Sequence, residues 1–311
     1  MLINKRLNKI LFEQEFKVWY KMKKAVDLSI VMINYNAKAL TTQAMQSIFD
    51  CEPQISFEII VVDNSSDASR EYDNMVENVV VIKHVKNKGF GNACNIGAKR
   101  SCGEYILFLN NDTIMHEGTL EACVLYLQQN PQTGVLGTRT LLENGALDHA
   151  CKRGFPTPMS SLYYFCGMDK RHPESKKYGV YRQTFIREDS ISEVDSVAGS
   201  FLMMPRSVFD RLGGYDETFF MYGEDLDLCY RVKELDLSVI YYGKVSITHL
   251  KGQSGLHTKS QTVIYHFYNA MLLFYKKHYL HRYNLFTTAL VYCGIKAKYA
   301  LTLLKMKLEK S

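Results

Sequence analysis

Short apolar runs recur along the first half of the chain, and most break off abruptly in polar side chains. Residues 28–33 end in Asn34-Tyr35-Asn36, 57–62 in Asp63-Asn64-Ser65-Ser66, and 105–109 in Asn110-Asn111-Asp112. A further run covers 79–84, and 134–138 continues the series. Continuous runs without alternation predict strands covered on both faces, as in a parallel sheet. A helical pattern reaches Asp50, and a glycine-rich turn at 87–91 enters a second helix. Strand and helix in alternation predict a doubly wound, mainly parallel α/β sheet.

Beyond residue 139 the pattern lapses. Pro156, Pro158 and Pro173, basic clusters and several tyrosines make 139–193 an excursion over the surface near a substrate. Order returns with a strand at 194–204 that contains Gly199 and Ser200. Glu224-Asp225-Leu226-Asp227 opens a helix ending near Glu234, and short strands at 238–242 and 244–248 lead to His249. From about Lys259 the chain is helical, aromatic and basic. Three regions result: a basic amphipathic helix at 1–26 with Leu7, Ile10, Leu11, Val18 and Trp19, an α/β domain at 27–257, and a helical region at 258–311.

Charge adds to this picture. Seven Lys/Arg against two Glu give residues 1–26 a net +5, eight against one give 276–311 a net +7, and the body between carries −6. An acidic body with basic ends fits an anionic membrane surface better than a nucleic-acid groove. The eight cysteines form no C-x-x-C pair, which argues against zinc and for reduced, mostly buried thiols in a cytoplasmic protein. No secretory signal pattern is expected in 1–26, and the uncharged run at 283–295 is too short to span a bilayer.

The polar strand ends carry the candidate chemistry, because ligands of open α/β sheets sit outside the carboxyl ends of the strands. Asp112 offers a hard oxygen to Mg²⁺ or Mn²⁺, or else merely caps the next helix. Asp63 could accept from a nucleobase imide, with Asn34 and Asn36 beside it, though each also suits an ordinary turn. Gly89-Phe90-Gly91 opens like a dinucleotide fingerprint, but Cys94 stands where the third glycine belongs, so a nicotinamide cofactor is rejected. That turn either brings backbone amides to a phosphate or serves only its own geometry. Asp225 is placed to act as a general base, whereas Asp227 reads as a structural charge at a helix start. His249 supplies a ring nitrogen that becomes a metal ligand if it lies beside Asp112.

Taken together, these segments resemble family 2 glycosyltransferases, particularly the bacterial rhamnosyltransferase-like branch with the GT-A fold. The likeness rests on residues 29–36, 61–66, 87–95 and 108–113, then Gly199-Ser200, 213–220, 224–229 and His249. It implies an inverting transfer of a sugar, with rhamnose the family-level expectation, from a UDP- or dTDP-sugar to a hydroxyl. The acceptor would be a glycan or a lipid-linked glycan, at the inner face of the cell membrane. Donor contacts would come from Asn34, Tyr35, Asn36, Asp63, Asn64, Asn87, Gly89, Phe90, Asn95, Asn110, Asn111, Gly199, Ser200 and Glu224. Asp112 and His249 would hold Mn²⁺ or Mg²⁺, and Asp225 would be the base. The metal triplet departs from the family's pattern, since Asn110-Asn111-Asp112 lacks a second carboxylate. That departure admits an alternative, a catalytically silent nucleotide-sugar-binding scaffold subunit. The aromatic helices over 262–304 would either pair two subunits or lie on lipid.

Overall fold

The structure, a computed structural model, describes residues 26–67, 78–83, 86–251 and 260–308. The expected basic helix at 1–26, apart from Val26, and the boundary at 257/258 lie outside the described residues. The first strands are β1 (Leu28–Asn34), β2 (Phe57–Asp63), β3 (Val79–Lys83) and β4 (Tyr105–Leu109). They pair in parallel in the order β3-β2-β1-β4, with Asn34 opposite Asp63 at the carboxyl rim. Helices α1 (Lys38–Asp50) and α2 (Phe90–Arg100) connect them.

The unbroken apolar runs follow from this layering. Leu28, Ile30, Met32, Ile59, Val61 and Leu107 face one core with Ala44, Met45 and Ile48 of α1. Their sequence neighbours Val31, Ile60, Val62, Ile106 and Phe108 face the opposite core with Ala93, Cys94 and Ala98 of α2. Strand side chains alternate faces, so covering both faces favours apolar residues at nearly every position, the buried exceptions within these runs, Ser29 and Glu58, being hydrogen-bonded to each other. Each such burial stabilises the fold by roughly 1.5–3 kcal/mol. At Gly97 an added Cβ would come within 2.4 Å of Val31 Cγ1, so α2 lies close against β1.

The rest of the sheet is built by β5 (Thr113–Met115), β6 (Thr133–Leu142), β7 (Ile191–Val194), β8 (Phe201–Pro205) and β9 (Ser238–His249). It continues β4-β8-β6-β9-β5, with β7 on β9. Here antiparallel pairs of β8 with β4 and β6, and of β9 with β5 and β7, surround the parallel β6–β9 pair. Helix α3 (Thr119–Gln129) covers this half through Leu120, Cys123, Val124 and Leu127.

Two sequence expectations change. The single strand expected at 194–204 is two, β7 and β8, because the chain turns at 195–200 to leave one partner strand and join another. The two short strands expected at 238–242 and 244–248 are one, with a register shift against β6 between Thr138 and Arg139. The excursion carries short helices α4 (Pro158–Phe165), capped by Thr157 with proline in its first turn, and α5 (Met168–Arg171). It is tied inward by Lys152, whose buried ammonium donates to the carbonyls of Gln183 (2.9 Å) and Ile186 (2.6 Å).

Helix α6 (Arg206–Arg211) follows β8, and α7 (Glu224–Lys233) leads into β9. The chain ends in α8 (Gln261–His278) and α9 (Leu285–Leu308). Helix α8 packs Phe274 against Phe155 and Tyr230. Lys277 (2.6 Å) and His278 (2.8 Å) converge on buried Asp227, which Arg231 also meets at 2.8 Å. Asp227 is therefore a structural charge, as its place at the helix start implies. All eight cysteines are free.

Candidate active site

The rim is assembled from strand ends laced together by short hydrogen bonds. Thr41 Oγ1, on α1, donates to Asn34 Oδ1 (2.9 Å) and accepts from Asn111 Nδ2 (3.1 Å), joining the ends of β1 and β4. Asn34 Nδ2 donates to Ser65 Oγ (3.0 Å), and Asn34 carbonyl accepts from the Asn64 amide. Asn36, at positive φ, accepts from the amides of Ser66 and Asp67. Asp63 receives the Ser65 amide at 2.9 Å, and Tyr35 is half-buried at the same corner. Asn64 Oδ1 and Ser200 Oγ are buried with no hydrogen-bond partner among the described residues. Buried polar atoms are normally paired, so these two invite a ligand.

The glycine-rich turn acts mainly on a neighbouring loop. Asn87 Oδ1 accepts from the Gly89 amide, and the Phe90 amide donates to Phe220 carbonyl (2.9 Å). Gly89 sits at φ 107°, where a Cβ would lie 2.4 Å from that same Phe220 oxygen. Asn95 is engaged on both sides of its amide: it accepts from Tyr215 N–H and donates to Tyr215 carbonyl and Glu217. Asn87, Gly89, Phe90 and Asn95 thus fasten the segment 215–220 that precedes Glu224 and Asp225. A direct donor contact is not needed to explain them.

Asp225 lies at the start of α7, after Tyr222 and Gly223, both at positive φ. Its Oδ2 accepts from Arg153 Nη2 (2.6 Å) and the Gly199 amide (3.1 Å), and its Oδ1 accepts from the Leu226 amide (2.7 Å). Ser200 carbonyl in turn accepts from the Asn110 amide (3.2 Å). A continuous path of bonded neighbours therefore connects the candidate base to the Asn110-Asn111-Asp112 turn. Glu224, beside Asp225, is buried with Oε2 unpartnered among the described residues. Burial, then the neighbouring Asp225 charge, push its carboxyl up to about 8.

Asp112 and His249 meet because β5 runs antiparallel to β9 with Thr113 opposite His249. His249 Nε2 is 3.2 Å from Asp112 Oδ1, and Nδ1 is 3.3 Å from Asp148 Oδ2. Lys251 also reaches Asp148 at 3.0 Å. Burial opposes protonation of the imidazole, but hydrogen bonds to Asp112 and Asp148 outweigh it and raise the ring to about 9. Among the described residues no group of three His, Cys, Asp or Glu side chains forms a complete metal cage. An oxygen and a nitrogen donor side by side suit an ion that displaces the proton held between them and takes its remaining ligands from phosphates and water. The donor set fits Mn²⁺ or Mg²⁺ on those terms.

Sequence reasoning missed three contributors: Thr41, Asp148 and Arg153. Thr41 lies within a helix, and the other two lie where no periodicity or motif marks them. Only tertiary contact identifies all three.

A nine-stranded sheet of this order, with polar strand ends converging on an acidic helix start, defines the GT-A type of glycosyltransferase. The chain belongs to glycosyltransferase family 2: the description "Glycosyl transferase family 2" matches residues 29–212. A second, "N-terminal domain of galactosyltransferase", matches residues 187–253. The chain is 25% identical over 218 residues to the low-salt glycan biosynthesis hexosyltransferase Agl10 of Haloferax volcanii, covering 68% of this chain and 64% of that one. It is 32% identical over 154 residues to rhamnosyltransferase WbbL of Escherichia coli (strain K12), covering 46% and 54%. The matched region is thus less than two thirds of either relative. Among solved structures, GalNAc-T7 with UDP, GalNAc and Mn²⁺ superposes with a TM-score of 0.57 at 15% identity, covering 81% of this chain and 48% of that one. At that identity the likeness concerns the fold.

Proposed function

We propose that the chain is a metal-dependent, inverting glycosyltransferase of cell-surface glycan synthesis. It takes a UDP- or dTDP-sugar as donor, with rhamnose the first sugar to try, and a hydroxyl of a polysaccharide or lipid-linked glycan as acceptor. The reaction takes place at the inner face of the cell membrane. The observation that carries this reading is the bonded path from Asp225 through Gly199 and Ser200 to Asn110, which supports reading Asp225 and the Asn110-Asn111-Asp112 turn as parts of one site. Glycan synthesis is favoured by Agl10 and WbbL, and a uridine donor by the UDP of GalNAc-T7.

In a single displacement the acceptor oxygen attacks the anomeric carbon and the carbon–oxygen bond to the diphosphate breaks, its electron pair leaving with the diphosphate. Asp225 takes the acceptor proton. Oδ1 is the atom suited to this, since a carboxylate oxygen has two lone pairs and the Leu226 amide occupies one. Arg153 and the Gly199 amide hold Oδ2 and keep the group aimed. Asn64 and Ser200 offer their unpartnered atoms to the donor. A divalent ion held by Asp112 and His249 would neutralise charge developing on the leaving diphosphate.

The silent scaffold remains the second reading, favoured by the single carboxylate of the Asn110-Asn111-Asp112 turn and by the Arg153 clamp on Asp225. Calorimetry of UDP, dTDP and GDP, with and without Mn²⁺, tests the donor site. Metal-dependent binding of one nucleotide, lost in Asp112→Ala, is the expected result. Absence of binding to all three would overturn the donor site on which both readings rest, and turnover in Asp225→Asn separates enzyme from scaffold.

A further inference from the structure

Helix α9 has two unlike faces. One packs on α8: Tyr299 meets Tyr268 and Tyr292 meets Tyr275, while Thr302 and Thr288 bond the hydroxyls of the same two tyrosines. The other face carries Leu290, Leu301 and Leu304, exposed by 58%, 63% and 54%. At about 100° per residue these three fall within about 60° of one another. Phe286 and Leu308 extend the stripe along the helix, at 73% and 68% exposed. Between them lie only Cys293, Gly294 and Ala297, which are small and exposed.

Lys298 and Lys305 flank the stripe on one side and Lys296 and Lys307 on the other, each about 60–120° from its centre. No acidic residue occurs between 285 and 308. Lys298 also lies over the Phe165 ring at 4.8 Å, which brings the exposed Phe165 at the end of α4 next to α9. A helix with an apolar strip edged by lysines suits the boundary between headgroups and acyl chains. It does not cross the bilayer, since no described helix is long and apolar enough to do so.

We infer that α9 lies in the plane of an anionic membrane, with its leucine stripe in the acyl boundary and its lysines among acidic headgroups. This gives the membrane part of the proposed function a defined surface and rests on that part alone. A second copy suits the face less well, because stripe-to-stripe contact would bring two rows of lysines together. At 24 residues and 1.5 Å each, the helix would lie along about 36 Å of membrane. Each lysine near such a surface strengthens attachment roughly fivefold.

The test is sedimentation of the purified full chain with vesicles of phosphatidylcholine alone or with about one-third phosphatidylglycerol. The wild type should sediment with the acidic vesicles only, and less as salt rises from about 0.1 to 0.5 M. Leu301→Glu/Leu304→Glu should reduce the partition at least tenfold, and Lys298→Ala/Lys305→Ala to a lesser degree. Nucleotide binding and melting temperature should stay unchanged, since the altered side chains are exposed. Turnover is not read, so the result is independent of whether the chain is catalytic. Wild-type protein left in the supernatant would overturn the inference. So would a leucine variant that sediments like wild type, or light scattering that shows a dimer broken by the leucine pair without any vesicle binding.

Discussion

At the scale of single residues, the site works through partners that hold its reactive groups. Asp148 anchors one imidazole nitrogen of His249 so that the other faces Asp112. Such outer partners of a metal-binding histidine typically change affinity about 10- to 100-fold. Asp148→Asn should therefore weaken Mn²⁺ binding in the presence of nucleotide by that factor, measured by calorimetry, and leave metal-free nucleotide binding unaltered. Asp225→Asn should lower turnover by about 10²- to 10⁴-fold with donor affinity retained. Unchanged cellular glycan with that variant would return the chain to the scaffold class. Glu224 makes a stability prediction with a definite sign. Its folded carboxyl, at about 8, binds a proton more tightly than the unfolded one near 4.5. Stability is thus greatest below pH 4.5 as far as this group is concerned, and falls as pH rises towards 8. Glu224→Gln removes that loss, so its melting temperature should exceed wild type by at least about 3 °C at pH 9 and by less than about 1 °C at pH 5.

At the scale of elements, the sequence announced strands more clearly than their ends or partners. The runs at 28–33, 57–62 and 105–109 were legible because both faces are covered, which leaves Ser29 and Glu58 as their only polar members. The stretch 194–204 looked like one strand because Val197 and Ala198 carry the apolar pattern through a turn that also holds Asp195, Ser196 and Ser200, and only pairing reveals the break. Asp63, Asp112 and Asp225 were readable as strand-end or helix-start acids. Arg153 and Asp148 were not, because ion pairs formed over 72 and 101 positions leave no local period. The loop-fastening role of Gly89 is likewise tertiary. Gly89→Ala places a methyl against Phe220 carbonyl in a backbone conformation that alanine disfavours. It should lower stability by about 1–3 kcal/mol in a denaturant titration and reduce turnover through the displaced Asp225 segment.

At the scale of the whole molecule, the C-terminal helices are fastened by charge as well as by packing. Asp227 is buried beneath Arg231, Lys277 and His278. Removing one side of a buried ion cluster costs about 3–5 kcal/mol, because the opposite charges are left behind. Asp227→Ala should loosen α8, seen as faster amide exchange over 261–278, while Asp227→Asn should be milder.

The pairing of β5 with β9 also has a bearing on how the protein comes into being. The two proposed metal donors are 137 positions apart in the chain. A ribosome adding about 5–20 residues per second needs roughly 7–27 s to proceed from one to the other. During that interval the nascent polypeptide carries Asp112 without His249, and the core lined by β1, β2 and β4 still lacks Phe201, Met203 and Ile247. On the proposed reading an ion would find both donors only once His249 has emerged and β9 has settled between β6 and β5. Synthesis would thereby set the moment at which the pair is complete, and a truncated product would carry Asp112 without its counterpart.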